Sequence, residues 1–270
     1  MTAHSGGESR VKQIVDMAST VLTMLAATAV LAWVGMQWIQ RNGQQVKTPG
    51  APVSLKGIPL KGSTDASLAL IVFSDFECPF CGTFARESMP GLVREFVDTG
   101  IAKVGFVHYP LESIHKRAFR AAEAAACAGR QDRFWEMHDL IFEDQKRLDD
   151  DSFVDRAART GIDATAFGEC LDGQATEEVR SAIRLTQSVG LATTPAFIVG
   201  RIQSNGDLKA MKVFSGANSY ADIAGFLRSP TGVSPGAKWF MVITAIALGM
   251  TGALLWRRRA RTRSLAHQQA

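Results

Sequence analysis

The chain has 270 residues, enough for one large or two small domains, and its 46% hydrophobic content with both charge signs allows a packed core. Its formal charge is +4, but five arginines fall in the last fourteen residues, and without them the balance is slightly acidic. That distribution makes no case for nucleic-acid binding and reads instead as a membrane-orientation signal.

No ionisable side chain occurs between Asp16 and Arg41, and Val21 to Ile39 is nearly all apolar or small, long enough to cross a bilayer as a helix. Residues 14–39 are therefore expected to be a transmembrane anchor behind a short tail, 1–13, with Trp33 and Trp38 toward one interface. Ala27-Thr28-Ala29 has the small-residue form of a signal-peptide cleavage site, but it lies inside the apolar run, which favours an uncleaved anchor. Residues 40–64 are rich in Gly, Pro, Lys and Gln and read as a tether, with room for one short edge strand around Val53 to Leu60.

The expected domain spans 65–229. Ser67 to Ser74 is an almost unbroken apolar strand of the kind buried on both faces. Cys78-Pro79-Phe80-Cys81 follows, then a helix through about Phe96, then the strand Ile101 to His108, stopped by Pro110. From about 112 to 189 the pattern turns helical, in segments Ala118 to Ala128, Arg133 to Phe142, Asp151 to Thr160 and Glu177 to Val189, punctuated by Gly129, Gly161 and Gly173. An all-helical block between strands reads as an insertion into an α/β domain. Thr194-Pro195 leads into the strand Ala196 to Gly200, followed by Met211 to Phe214 and a helix Tyr220 to Leu227.

Residues 230–238 form a second tether, and 239–256 is a second uncharged run with a tryptophan at each end. Arg257, Arg258, Arg259, Arg261 and Arg263 follow at once, so the tail 257–270 is expected on the cytoplasmic side. Two spans then put both termini inside and residues 40–238 outside the cytoplasm, where a disulfide persists.

Two cysteines separated by two residues at a strand-to-helix junction read as a redox dithiol. Free N–H groups and the positive end of the dipole at a helix N-terminus lower a cysteine pKa, which makes Cys78 the expected nucleophile. Cys81, one turn further on, faces the same sulfur and is suited to close or resolve the disulfide. Cys127 and Cys170 in the helical block are two buried free cysteines, a second disulfide or metal ligands. Their separation does not resemble a zinc knuckle, and an oxidising compartment favours the structural disulfide. His108, His115 and His138 are candidates for proton shuttles, with packing or capping the commoner role. Phe134, Trp135 and Met137 suit the core of the helical cap. No metal or other cofactor is expected.

The run Phe73-Ser74-Asp75-Phe76-Glu77-Cys78-Pro79-Phe80-Cys81 resembles the active site of the DsbA-like branch of the thioredoxin superfamily. So do Ile114-His115, Ala118, Ala121-Ala122, Cys127-Ala128, Phe134-Trp135-Glu136-Met137-His138-Asp139 and Thr194-Pro195-Ala196-Phe197, in the same order. The resemblance covers roughly Ser67 to Leu227 and implies a thioredoxin-like fold with an all-helical insertion. It implies that Cys78 is the exposed nucleophile, that Cys81 is its partner across the Pro79-Phe80 dipeptide, and that Pro195 is a cis-proline whose Thr194 offers backbone hydrogen bonds to a bound peptide. The implied partners are protein thiols and disulfides and a quinone-linked membrane protein of the DsbB or vitamin K epoxide reductase type. Where many members carry a buried carboxylate six positions before the first cysteine, this chain has Val72, and Thr194 stands where the strongest oxidases have valine. A reductase or isomerase on the same fold, and a non-catalytic assembly module, are the alternatives.

Overall fold

The computed structural model describes residues 18, 22, 24–36, 48–216 and 220–229, in two units that meet between Lys47 and Thr48 in the sequence. In the first unit residues 24–36 are helical, and Leu25, Leu31, Trp33 and Met36 stand exposed on that helix. Among the described residues no helix is long and apolar enough to cross a membrane. The expected anchor 14–39 lies only partly within the described residues, and the expected span 239–256 with its tail lies outside them.

The second unit is built on a five-stranded sheet in the order β1-β3-β2-β4-β5. Its strands are β1 (Leu60–Lys61), β2 (Leu68–Ser74), β3 (Ala102–His108), β4 (Ala196–Ile202) and β5 (Leu208–Ser215). All seven residues of β2 are buried, as the uniform run Leu68-Ala69-Leu70-Ile71-Val72-Phe73-Ser74 requires of a central strand covered on both faces. β2 runs parallel to β3, Leu68 opposite Ala102 and Ser74 opposite His108, and antiparallel to β4, Phe73 opposite Ala196.

The helix after the motif is α1 (Pro79–Thr83), and it continues through α2 (Met89–Leu92) with π-helical turns Phe84–Ser88 and Val93–Val97. Pro90 lacks an N–H to donate to the turn before it, and a widened turn just upstream accommodates that loss. The insertion between β3 and β4 comprises α3 (Ala118–Gly129), α4 (Phe134–Glu143), α5 (Asp150–Thr160), α6 (Ala164–Glu169) and α7 (Thr176–Ser188), and α8 (Tyr220–Arg228) follows the sheet. Helix α6 was not expected from the apolar pattern. It is short and carries Gly168, and its one local signal is Asp163, whose carboxylate accepts from Ala166 N–H as an N-cap.

Two boundaries differ from expectation. Part of the expected tether 40–64 packs with the second unit, more than the one short edge strand expected around Val53 to Leu60: Val53 and Leu55 are buried, Val53 bridges to Leu208 at one sheet edge, and β1 pairs with β3 at the other. The prolines and glycines of 48–61 interrupt any strand or helix period, so the pattern does not show that Val53 and Leu55 are anchors. Strand β5 begins at Leu208 rather than Met211, since Lys209 and Lys212 on an edge strand break the apolar run without breaking the ladder. Gly200 lies at the register shift between β4 and β5, where a Cβ would stand 2.5 Å from Lys209 O.

One core cluster joins β2 to the α1–α2 helix and α8 through Leu70, Val72, Phe84, Phe96, Phe197 and Ile223. The other lies under the insertion and centres on Phe76, Phe106, Met137, Phe142 and Phe153. The dithiol sits at the edge of this second cluster.

Candidate active site

The register brings three chain segments to one place. β2 ends at Ser74 and delivers the turn 75–78; β3, parallel to it, ends at His108 and delivers the 109–117 loop; β4, antiparallel, begins at Ala196 and delivers Thr194-Pro195. The Thr194–Pro195 peptide bond is cis.

Cys78 is the N-cap of α1 with extended backbone, φ −71° and ψ 122°, and its carbonyl accepts from Gly82 N–H at 3.1 Å. Its pKa is lowered to about 6. The largest cause is hydrogen bonding from the Cys81 thiol, followed by the Cys81 N–H, Thr194 and the Phe80 N–H, and burial opposes them. Cys81 is pushed in the other direction, upward, by burial and then by its proximity to Cys78, while Ser74 and Asp75 N–H oppose the rise. The pair is thus split into an acidic and a reluctant thiol. Cys78 is 4% exposed rather than open to solvent, because its sulfur lies under the Thr194 carbonyl at 3.7 Å; the motif residues presented to solvent are Pro79 and Phe80, the latter at 61%.

A buried carboxylate does stand beside the dithiol, three positions before it rather than six. Val72 lies in the aliphatic core, whereas the Asp75 side chain, 0% exposed, accepts from Glu77 N–H, Leu111 N–H and His115 Nδ1, each at 2.8 Å. Asp75 N–H in turn points at the Cys81 sulfur, 3.5 Å away. Asp75 thus ties the motif turn to the 111–115 loop. Glu77 extends the same tie by accepting from Arg117 N–H at 2.7 Å.

Sequence reasoning missed a further group. Gln145, in the link between α4 and α5, donates from Nε2 to Phe76 O and to Cys78 O, both at 2.9 Å. That link is fastened by Arg156, buried with no carboxylate beside its guanidinium among the described hydrogen bonds, which donates to Leu140 O, Asp144 O, Arg147 O and Ser152 Oγ. No local pattern marks a loop glutamine as a partner of a turn nearly 70 residues earlier.

The three histidines separate. His115 sits beside the dithiol through Asp75. His138 bonds Asp139 at 2.8 Å, and His108 has no hydrogen-bond partner on either nitrogen among the described residues. Both are buried among Phe76, Phe106 and Phe134. Burial, and then the charge of His138, pushes His108 down to about 3, so it is neutral at physiological pH. Cys127 of α3 and Cys170, in the π-turn after α6, form a disulfide 43 residues apart in sequence.

A thioredoxin-like sheet carrying a Cys-Pro-Phe-Cys helix start against a cis-proline defines the class of protein. Residues 55–214 match the family described as Thioredoxin. In structure the chain is similar to oxidised BdbD from Bacillus subtilis, with a TM-score of 0.58 and 26% identity over 68% of this chain and 97% of that one. It is similar in fold to α-DsbA1 of Wolbachia pipientis, with a TM-score of 0.56 and 20% identity over 65% of this chain and 92% of that one. In sequence it is 28% identical over 153 residues to disulfide bond formation protein D of Bacillus subtilis, covering 54% of this chain and 69% of that protein. It is also 33% identical over 153 residues to the Na(+)/H(+) antiporter NhaA 3 of Salinispora tropica, but spans only 22% of that antiporter's length. The chain belongs to the family described as Thioredoxin.

Proposed function

We propose that the chain is a membrane-anchored, extracytoplasmic thiol:disulfide oxidoreductase that introduces disulfide bonds into folding proteins. One arrangement carries this reading: Cys78 stands at the N-cap of α1 under the carbonyl of the cis Thr194–Pro195 loop with Cys81 one turn on, and the two thiols are driven apart, Cys78 toward its thiolate and Cys81 away from it. A stabilised Cys78 thiolate favours the reduced form and makes the disulfide a stronger oxidant. The similarity to disulfide bond formation protein D supports the same direction.

In the oxidised enzyme a substrate thiolate attacks the Cys78 sulfur, the Cys78–Cys81 bond breaks, and Cys81 leaves and takes up a proton. The mixed disulfide holds the substrate on Cys78, with the Thr194-Pro195 backbone alongside. A second substrate thiolate then attacks the substrate sulfur; the substrate disulfide forms and Cys78 leaves as the favoured thiolate. Two electrons pass to the enzyme, which a quinone-linked membrane partner of the DsbB or vitamin K epoxide reductase type removes. The anchors, 14–39 and 239–256, with both termini cytoplasmic, hold the domain near that partner and raise its effective concentration. Cys127–Cys170 serves as a structural bridge. Sodium–proton exchange is not carried over, because the shared stretch is a small part of the antiporters.

The reduction potential of the Cys78–Cys81 pair, measured against glutathione buffers in the full chain with Cys127 and Cys170 replaced, tests the direction. A value near about −120 mV is expected of a disulfide donor; one near about −270 mV would make the chain a reductase in need of an electron supply. A reporter fused after Ala270 tests the topology, and activity only outside the cytoplasm refutes the two-span arrangement.

A further inference from the structure

Of the donors that favour the Cys78 thiolate, the Cys81 thiol, the Cys81 N–H and the Phe80 N–H belong to the 78–81 turn itself, so their aim at the sulfur follows the path of that backbone. Within the turn Cys78 N–H donates to Asp75 O at 3.2 Å and Gly82 N–H to Cys78 O at 3.1 Å, but Cys78 makes no side-chain cap, Pro79 has no N–H to donate, and Phe76 O is left to an outside donor. That donor comes from the helical insertion. One amide nitrogen of Gln145 bridges two carbonyls two residues apart, Phe76 O and Cys78 O, and its Oε1 accepts from Arg86 Nη1 at 3.2 Å. Arg86 Nη1 also donates to Phe142 O at 2.6 Å, closing the tie between the motif helix and the end of α4. The link that carries Gln145 is itself held: Arg156 donates to Asp144 O and Arg147 O, and Arg117 Nη1 to Lys146 O at 3.0 Å.

A second observation comes from the opposite side of the contact. Gly82 follows Cys81 directly, and a Cβ there would stand 1.9 Å from Gln145 Oε1 and 2.8 Å from Arg86 Nη1. Its φ is not positive, so no backbone requirement explains the glycine. It is absent of side chain where the glutamine amide passes.

We infer that Gln145 is a positioning residue for the dithiol: it holds the 76–78 backbone so that the donors around the Cys78 sulfur converge, and Gly82 supplies the room it needs. The inference rests on Cys78 and Cys81 being the exchanging pair. Gln145 touches neither sulfur among the described hydrogen bonds and acts through the backbone. The helical insertion thereby bears on the redox chemistry of a motif that belongs to the sheet.

The test is a thiolate titration of the reduced full chain by ultraviolet absorbance, with glutathione equilibration alongside, for the wild type, Gln145→Ala, Gln145→Glu and Gly82→Ala. Gln145→Glu keeps the size and the acceptor for Arg86 but loses the donor. All three are expected to raise the Cys78 midpoint by about one pH unit, a tenfold loss of thiolate on the acid side. The disulfide becomes correspondingly about tenfold less oxidising, or about 30 mV. Lower thermal stability with midpoint and potential unchanged would show that Gln145 only fastens the loop, and the inference falls. If Gln145→Ala does not fold, Gly82→Ala, which retains the glutamine, decides by the same midpoint. A wild type in which Cys78 shows no separate titration and glutathione does not exchange overturns the dithiol reading itself, an outcome distinct from unchanged variants in an active background.

Discussion

The molecule carries two cysteine pairs in opposite settings. Cys78 and Cys81 lie three residues apart at a helix start, surrounded by donors aimed at one sulfur; Cys127 and Cys170 join α3 to the turn after α6 across 43 residues. All four are buried, so burial alone does not distinguish a reactive thiol from a structural one. The difference lies in what is arranged around the sulfur. N–H and thiol donors stabilise charge on Cys78, whereas the Cys127 sulfur is bonded to Cys170 and has no thiol to ionise, although both pairs border the same apolar cluster.

The largest expected effect breaks the first pair. Cys78→Ala abolishes thiol–disulfide exchange, while Cys81→Ala retains the attacking sulfur and accumulates mixed disulfides with client proteins, separable on non-reducing gels. If Cys78→Ala exchanges as well as the wild type, the assignment of the two sulfurs is wrong.

Breaking the second pair should cost stability and leave chemistry intact. By the chain-entropy relation, a bridge closing a loop of this length contributes about 4 kcal/mol. A Cys127→Ala, Cys170→Ala double variant is therefore expected to unfold at lower denaturant by that order, with the Cys78 thiolate midpoint unmoved. A shift of that midpoint would show that the insertion's bridge reaches the dithiol.

The pH dependence sharpens the same contrast. Cys78 titrates near 6 in the folded reduced protein against an ordinary thiol near 9. A depressed acid pKa contributes stability that is fully present above the unfolded value and is lost as pH falls through the folded one. The reduced form should therefore gain on the oxidised form from about pH 6 to about pH 9, by at most about 4 kcal/mol. Above that window the raised Cys81 pKa opposes the gain. Denaturation of both redox forms across pH checks the slope.

His108 offers a comparison on the acid side. Its folded pKa, about 3, lies below the ordinary 6.5, so between those values the unfolded chain binds a proton that the folded chain does not. Stability falls as pH drops through 6.5, by about 2 kcal/mol at pH 5 from this residue alone. His108→Leu should flatten that part of the acid-unfolding curve. An unchanged curve would mean that the proton is taken up elsewhere in the fold.

What was legible in the sequence follows the range of the interaction. The strand, the Cys-Pro-Phe-Cys helix start and the main helices are local patterns, and they recur in β2, α1, α3, α4, α5 and α7. Asp75 was visible as a residue but not as a buried acceptor, because its three donors come from Glu77 next to it and from Leu111 and His115, a strand and a loop away. Gln145 and Arg156 were illegible for the same reason: most of their partners are backbone carbonyls, which no side-chain pattern announces. Val53 and Leu55 were hidden because the prolines and glycines around them break any regular period.

The smallest effect concerns Thr194, whose hydroxyl is buried without a hydrogen-bond partner among the described residues, yet stands close enough to the Cys78 sulfur to favour its thiolate. In the thiol form the orphan hydroxyl is a cost of about 1–3 kcal/mol; when Cys78 ionises, it gains an anion to donate to. Thr194→Val keeps the shape and removes only that donor. It should stabilise the reduced protein slightly below pH 6 and raise the Cys78 midpoint by a fraction of a unit, because Thr194 ranks behind the Cys81 thiol and N–H among the donors. The carbonyl of residue 194, which lies over the sulfur, is untouched by the change. A midpoint that falls in Thr194→Val would mean that valine at this position makes a stronger oxidant through packing on the cis-proline loop rather than through the lost hydroxyl. The thiolate titration of this one variant separates the two.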